Sequence, residues 1–221
     1  LVKSSAASDV YKRQIQYYEL DRLAQYFRLF GFGRITGIDI GREYKGTIPN
    51  TAFMNKRYGR FGWSKGSLLN FCIGQGEILV TPIQVFNYVN LLATKGNSNS
   101  PHLVSSTKKD SENEIPLSSQ IWDRIIFDMG QVISHAKGTG KNADPAVQGA
   151  KIYGKTGTAE NPHGEDHAWF IGWVEYEKKK FSIVVLLENS GSGGAVAAPL
   201  AKNVFDKIIL GINNSKQISM K

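Results

Sequence analysis

Lys155, Thr156 and Gly157 stand together in the run Ile152-Tyr153-Gly154-Lys155-Thr156-Gly157-Thr158-Ala159-Glu160. The run reads as a strand. At the edge of a sheet, its unpaired N–H and C=O groups would accept an extended peptide as an added strand. Gly157, without a side chain, lets that peptide's backbone come close. Lys155 offers a cation and Thr156 a hydroxyl beside that edge. The chemistry available is the docking of an extended chain next to a positive charge.

Other motifs compete for attention. Gly149-Ala150-Lys151-Ile152-Tyr153-Gly154-Lys155-Thr156 fits the spacing of a phosphate-binding loop. That mechanism needs a strand before the loop and a helix after it, so that backbone amides cradle phosphate. Here the apolar run lies inside the loop, and Ala159-Glu160-Asn161-Pro162-His163-Gly164 cannot open a long helix. Gly191-Ser192-Gly193-Gly194 falls between a strand and a helix, as in dinucleotide binding, but the strands before it form a hairpin. A close-packing turn is the better reading. His163 and His167 flank Glu165 and Asp166 beside Pro162 and Gly164, which makes a loop rather than a zinc-binding helix. No metal and no cofactor is expected. Cys72 lies in an apolar stretch and reads as a small packing residue. Trp169, Phe170 and Trp173 read as hairpin core and groove wall.

The elements that must position these groups follow from apolar periodicity. Leu20, Leu23, Ala24, Phe27 and Phe30 recur at helical spacing, and Gly31 and Gly33 end that helix. Short extended pieces follow around Thr36–Ile40 and Gly46–Pro49. Thr81 caps a helix that opens with Pro82 and buries Val85, Val89 and Leu92, with Gly96 beyond its end. Residues 97–116 are polar and read as a loop with a short hairpin. Ser118 or Ser119 starts a helix with Ile121, Ile125, Met129, Val132 and Ile133 inward. Strands are predicted over 151–158, 168–176 and 181–188. The short turn at 177–180 makes the last two an antiparallel hairpin. A final helix is expected from about Ala197 to Leu210, with Leu200, Val204 and Ile208 on one face.

Composition bounds the class. The chain has 221 residues, 41% of them hydrophobic, enough for a real core. Its net charge of +8 favours an anionic partner or surface. No nucleic-acid recognition motif accompanies that charge, so nucleic acid is not an expected partner. The single cysteine excludes an internal disulfide. Residues 1–14, small, polar and without periodicity, read as a non-native or disordered segment. Residues 15–213 then form the folded part, and 214–221 a disordered tail.

Four segments in order resemble the class B penicillin-binding proteins of the elongation type. They are Phe30-Gly31-Phe32-Gly33 with Thr36-Gly37-Ile38-Asp39; Ile73-Gly74-Gln75-Gly76 with Val80-Thr81-Pro82-Ile83-Gln84; Gly154-Lys155-Thr156-Gly157-Thr158-Ala159-Glu160; and Glu188-Asn189 with Gly191, Gly193, Gly194, Ala197, Ala198 and Pro199. The resemblance implies an α+β transpeptidase fold of the serine β-lactamase-like type, an antiparallel sheet flanked by helices, truncated here at its N-terminus. It implies D,D-transpeptidation of peptidoglycan stem peptides through an acyl-serine, and inhibition by β-lactams. It also implies glycosyltransferase and cell-elongation partners, and the periplasmic face of the inner membrane, reached through an N-terminal anchor absent from this chain. On that resemblance Lys155 is catalytic and the Thr158 N–H is half of an oxyanion hole, a donor class worth about 3–4 kcal/mol in a serine protease. Thr156, Gly157, Ala159, Glu160, His167 and Trp169 would line the substrate groove.

The resemblance also calls for a Ser-x-x-Lys and a Ser-x-Asn or Ser-x-Asp ahead of this region. Matches within the chain fail on context. Ser105-Ser106-Thr107-Lys108, Ser106-Thr107-Lys108-Lys109 and Ser111-Glu112-Asn113 lie in a polar loop, and Ser134-His135-Ala136-Lys137 closes a helix rather than opening a buried one. The nucleophile is expected outside this chain, which leaves it inert towards penicillin by itself. Two other classes stay open: a non-catalytic interaction module of the cell-wall machinery, and a nucleotide-binding enzyme.

Overall fold

The computed structural model describes residues 20–104 and 113–219. The expectations for residues 1–14, and for the serines at 105, 106 and 111, lie outside them. The described residues fall into two compact units.

The first unit draws on residues 20–84 and 100–104. Helix α1 (Leu20–Leu29) ends as expected at Gly31 and Gly33, with φ of 93° and 76°. Two short helices were not legible in the sequence. They are α2 (Thr51–Tyr58), capped by Asn50 accepting from the Phe53 N–H, and α3 (Lys65–Cys72), capped by Ser64 accepting from the Gly66 N–H. Leu20, Met54, Leu68 and Phe71 form their shared core, and Cys72 packs half-buried against it. That burial pushes the Cys72 thiol up to about 11, which keeps it protonated and inert. Helix α4 (Pro82–Ala93) gives its first residues to this unit and the rest to the second. Thr81 caps it reciprocally: the Gln84 N–H donates to Thr81 Oγ1, and the Thr81 N–H donates to Gln84 Oε1.

The second unit holds the sheet. Val85, Val89 and Leu92 of α4 are buried as expected. The short hairpin is present, with β1 (Asn97–Ser98) antiparallel to β2 (Asn113–Glu114). Helix α5 (Ser119–Ser134) turns Met129 and Ile133 inward, but Ile121 is 46% exposed and Trp122 takes the buried place. The cause is Gly96: a Cβ there would stand 2.7 Å from the indole of Trp122, so the glycine opens the slot.

Strands β3 (Lys151–Ala159), β4 (His167–Tyr176) and β5 (Lys179–Leu187) form an antiparallel sheet in that spatial order. The hairpin turn is tighter than expected, with Glu177 and Lys178 at φ of 51° and 65° and Tyr176 paired to Lys179. A π-helical turn (Gly193–Ala197) leads into α6 (Ala198–Ser219). The expected face of this helix is corrected. Leu200 and Val204 are 41% and 37% exposed, while Ala198, Ala201, Phe205 and Ile209 are buried against Phe170, Val174 and Val185. The alanines allow a close approach to the sheet, and Ile208, the third residue of the expected face, does pack partly buried against this core. The helix runs on through 214–219; no proline interrupts it, and Ser215 Oγ donates to the Gly211 carbonyl.

Candidate active site

β3 has a partner on one side only, so it is an edge strand of the described sheet. Its ladder runs without a bulge from Lys151↔Glu175 to Ala159↔His167. The direction of its backbone groups follows from the glycines opposite. A Cβ on Gly172 would lie 2.2 Å from the Tyr153 carbonyl oxygen, which is therefore directed into β4. Antiparallel pairing alternates. Lys155 and Gly157 thus also bond inward, and the N–H and C=O groups of Thr156 and Thr158 face the open edge.

Side chains alternate as well. Lys155 and Gly157 share a face with Trp169, the cross-strand partner of Gly157, and with the stacked pair Tyr153–Trp173, whose rings are 4.9 Å apart. Gly157 has a nearer duty than the one expected of it. A Cβ there would come 3.2 Å from Trp169 Cβ, so the glycine first makes room for the neighbouring strand. Lys155 keeps solvent access, and its ammonium donates to the Thr156 carbonyl. Protein crowded around that ammonium lowers its pKa, because burial disfavours the charged form.

On the other face, Thr156 and Thr158 meet two loops. Thr156 Oγ1 is 2.8 Å from Thr139 Oγ1, and Thr158 Oγ1 accepts from the Gly193 N–H at 3.3 Å. Gly193 is buried on the sheet: a Cβ would stand 2.2 Å from the Gly157 oxygen and 2.3 Å from the Trp169 oxygen. The Gly191–Gly194 segment is thus the close-packing turn read from the sequence. The run that mimics a phosphate-binding loop is strand β3 from Lys151 onward, and no helix follows it.

The remaining predicted residues separate. Ala159 ends the ladder and Glu160 is exposed beyond it. Trp169 is half-buried on the Lys155 face. His167 has a structural task, since its Nδ1 accepts from the Asn189 N–H at 3.0 Å. The Asp166 carbonyl takes the Ser190 and Gly191 N–H groups, and Asn161 Nδ2 donates to Asn189 Oδ1 at 2.6 Å. His163 lies in the same loop, its N–H on Asn161 Oδ1. Among the described residues no group of three or more His, Cys, Asp or Glu is arranged to hold a metal. Ser134 Oγ donates to the Gly130 carbonyl, a back-bond within its own helix. Sequence reasoning missed Thr139 and Asn142, and it gave no partners for Asp166 and Asn189, because those partners are distant in the chain and no periodicity marks them.

Residues 5–206 match the family described as the penicillin binding protein transpeptidase domain. The chain belongs to this family. Among its relatives is the peptidoglycan D,D-transpeptidase MrdA of Haemophilus influenzae, 34% identical over 90% of this chain and 34% of the relative. Penicillin-binding protein 2 of Pseudomonas aeruginosa, solved in complex with WCK 5153, superposes with a TM-score of 0.79. It is 31% identical over 90% of this chain and 44% of that one. Penicillin-binding protein 2 of Helicobacter pylori, in its complex with MreC, has a TM-score of 0.75 and 30% identity over 89% of this chain and 37% of that one. The chain spans about a third of the length of the curated relatives it matches. The α+β penicillin-binding fold expected from the four segments is therefore the fold of this chain.

Proposed function

We propose that this chain is the peptide-gripping part of a peptidoglycan D,D-transpeptidase of the penicillin-binding protein 2 type. The observation that carries this is the open edge of β3, where Thr156 and Thr158 direct backbone groups outward beside the Lys155 cation. A stem peptide adds along that edge as a further strand. Thr156 and Lys155 receive its terminal carboxylate. The Thr158 N–H stabilises the oxyanion as the carbonyl before the last D-alanine is attacked. Gly157, Ala159, Glu160 and Trp169 flank the bound strand, and His167 acts through the Asn189 turn.

The attacking serine belongs to a segment outside these 221 residues. Its oxygen bonds to the carbonyl carbon, the terminal D-alanine leaves as the amine, and an acyl-serine remains. An amine of a neighbouring stem peptide then displaces the serine, forming the cross-link and regenerating the hydroxyl. β-Lactams acylate the same serine. Among the described residues no helix is long and apolar enough to cross a membrane. We place the whole protein at the periplasmic face of the inner membrane, with glycosyltransferase and MreC-like elongation partners, on its likeness to MrdA and to the Helicobacter pylori complex.

Fluorescent penicillin tests the reading. The full-length protein takes up label on one serine, the 221-residue chain alone takes up none, and Lys155→Ala lowers the full-length rate by about a hundredfold or more. Stoichiometric labelling of a serine within the 221 residues would refute the assignment, and so would a full-length protein that stays unlabelled.

A further inference from the structure

Thr139 lies outside every motif the sequence singles out. It sits in the loop between α5 and the short 3-10 turn Lys141–Ala143. The loop's backbone is anchored on several sides. The Gly138 N–H donates to the His135 carbonyl at 2.7 Å, and the Gly140 N–H to the Val132 carbonyl at 3.0 Å. Asn142 Nδ2 donates to the Gly194 carbonyl at 3.0 Å. Three glycines make this closure possible. A Cβ at Gly138 would stand 2.3 Å from the Val132 oxygen, one at Gly140 2.9 Å from Ile133 Cδ1, and one at Gly194 2.6 Å from the Thr139 oxygen. From this fixed base the Thr139 hydroxyl reaches Thr156 Oγ1 at 2.8 Å.

The two hydroxyls cannot be assigned roles by distance alone, but a ligand assigns them. A threonine hydroxyl carries one proton and two lone pairs, and a carboxylate only accepts. When Thr156 binds a carboxylate, its proton goes there. The proton between the two threonines must then come from Thr139. We infer that Thr139 is a positioning residue for carboxylate recognition, donating to Thr156 Oγ1 so that the Thr156 proton is left for the ligand. The donation also polarises Thr156 and makes it the better donor. This rests on the reading above, that Thr156 meets the terminal carboxylate.

The test compares a chromogenic cephalosporin with its methyl ester as acylating agents of the full-length protein. Wild type, Thr139→Val and Thr139→Ser are measured. The acid-to-ester ratio of acylation rates falls about tenfold in Thr139→Val and returns to within about twofold of wild type in Thr139→Ser. If Thr139→Val does not fold, Thr139→Ala replaces it with the same expectation. A wild-type protein that reacts while the ratio is unchanged in the variant overturns the role of Thr139 alone. Equal slowing with acid and ester also overturns it, because the loop would then be serving structure only. A wild type that reacts with neither compound overturns the transpeptidase reading itself.

Discussion

In the second unit, Phe170, Trp173, Val174 and Phe205 have no exposed surface, and strands and helix meet through apolar side chains. In the first unit, Phe61, Leu103, Tyr44, Val104 and Leu79 are between 62% and 93% exposed. Its loops are fixed instead by single polar groups. Glu43 accepts from the Thr36 and Gly37 N–H groups and the Thr36 hydroxyl. Asp39 accepts from the Leu103 and Val104 N–H groups. The buried Gln84 amide donates to the Arg34 and Lys45 carbonyls. Apolar area is non-directional and tolerant, whereas a hydrogen bond to a loop backbone is specific and is lost outright with its side chain. The two units should therefore fail under different insults.

The strongest way to break this contrast is at Phe205. Phe205→Ala removes a fully buried ring and leaves a cavity, so the sheet unit loses about 3–5 kcal/mol. Urea denaturation followed by amide exchange of β3–β5 reads it, with the Arg34–Lys45 amides unaffected. A loss shared equally by both sets would mean that the contrast is false. Next comes Gln84→Ala in the first unit. It removes the buried amide that holds the Arg34 and Lys45 carbonyls and the side-chain half of the reciprocal cap on Thr81, costing about 1–3 kcal/mol. Exchange at Thr36, Gly37 and Thr47 should rise while the strands stay protected. A smaller effect of opposite sign is expected at the β4–β5 turn. Glu177 and Lys178 occupy left-handed conformations that Asn-Gly adopts with less strain. The pair Glu177→Asn with Lys178→Gly should raise the melting temperature, by about 1 kcal/mol in stability.

Acid is the finest probe. The Leu103 and Val104 N–H groups hold Asp39 below the ordinary carboxylate range. For Glu43, partial burial pushes upward, but the Thr36 and Gly37 donors outweigh it and the net shift is also down. A carboxylate lowered in the folded state contributes stability above its unfolded pKa and loses it as pH falls through its folded value. The loops of the first unit should thus open below about pH 4 while the sheet holds. Exchange at Leu103 and Val104 follows it, and simultaneous opening of β4 would count against the contrast.

Much of the second unit was legible because its apolar residues repeat at strand and helix periods. The three strands agree with their predicted limits to within two residues. What escaped reading depends on contacts across the chain. Helices α2 and α3 have eight residues each and little amphipathic pattern, so their caps at Asn50 and Ser64 were the only available signal. The buried face of α6 was misread because a leucine at 200 outweighs alanines in any periodicity count, although alanines are what the close sheet contact requires. At the site, the Lys155–Thr158 strand was readable from residue types. The hydrogen bonds that fix Thr139 and Asn189 were not, because contacts over 17 and 22 residues leave no local pattern.

Gly154 and Gly172 face one another across β3 and β4, and the ring of Phe170 lies over both, 2.5 Å from where a Cβ on the first would stand and 3.2 Å from one on the second. That rung has no side chains of its own, so one aromatic plate levels the two backbones. On the proposed reading, the edge that would receive the peptide is braced from one strand further in. Shrinking Phe170 would tilt the docking rail without altering any atom that touches the docked chain, and a loss of grip could then arise with every contacting residue intact.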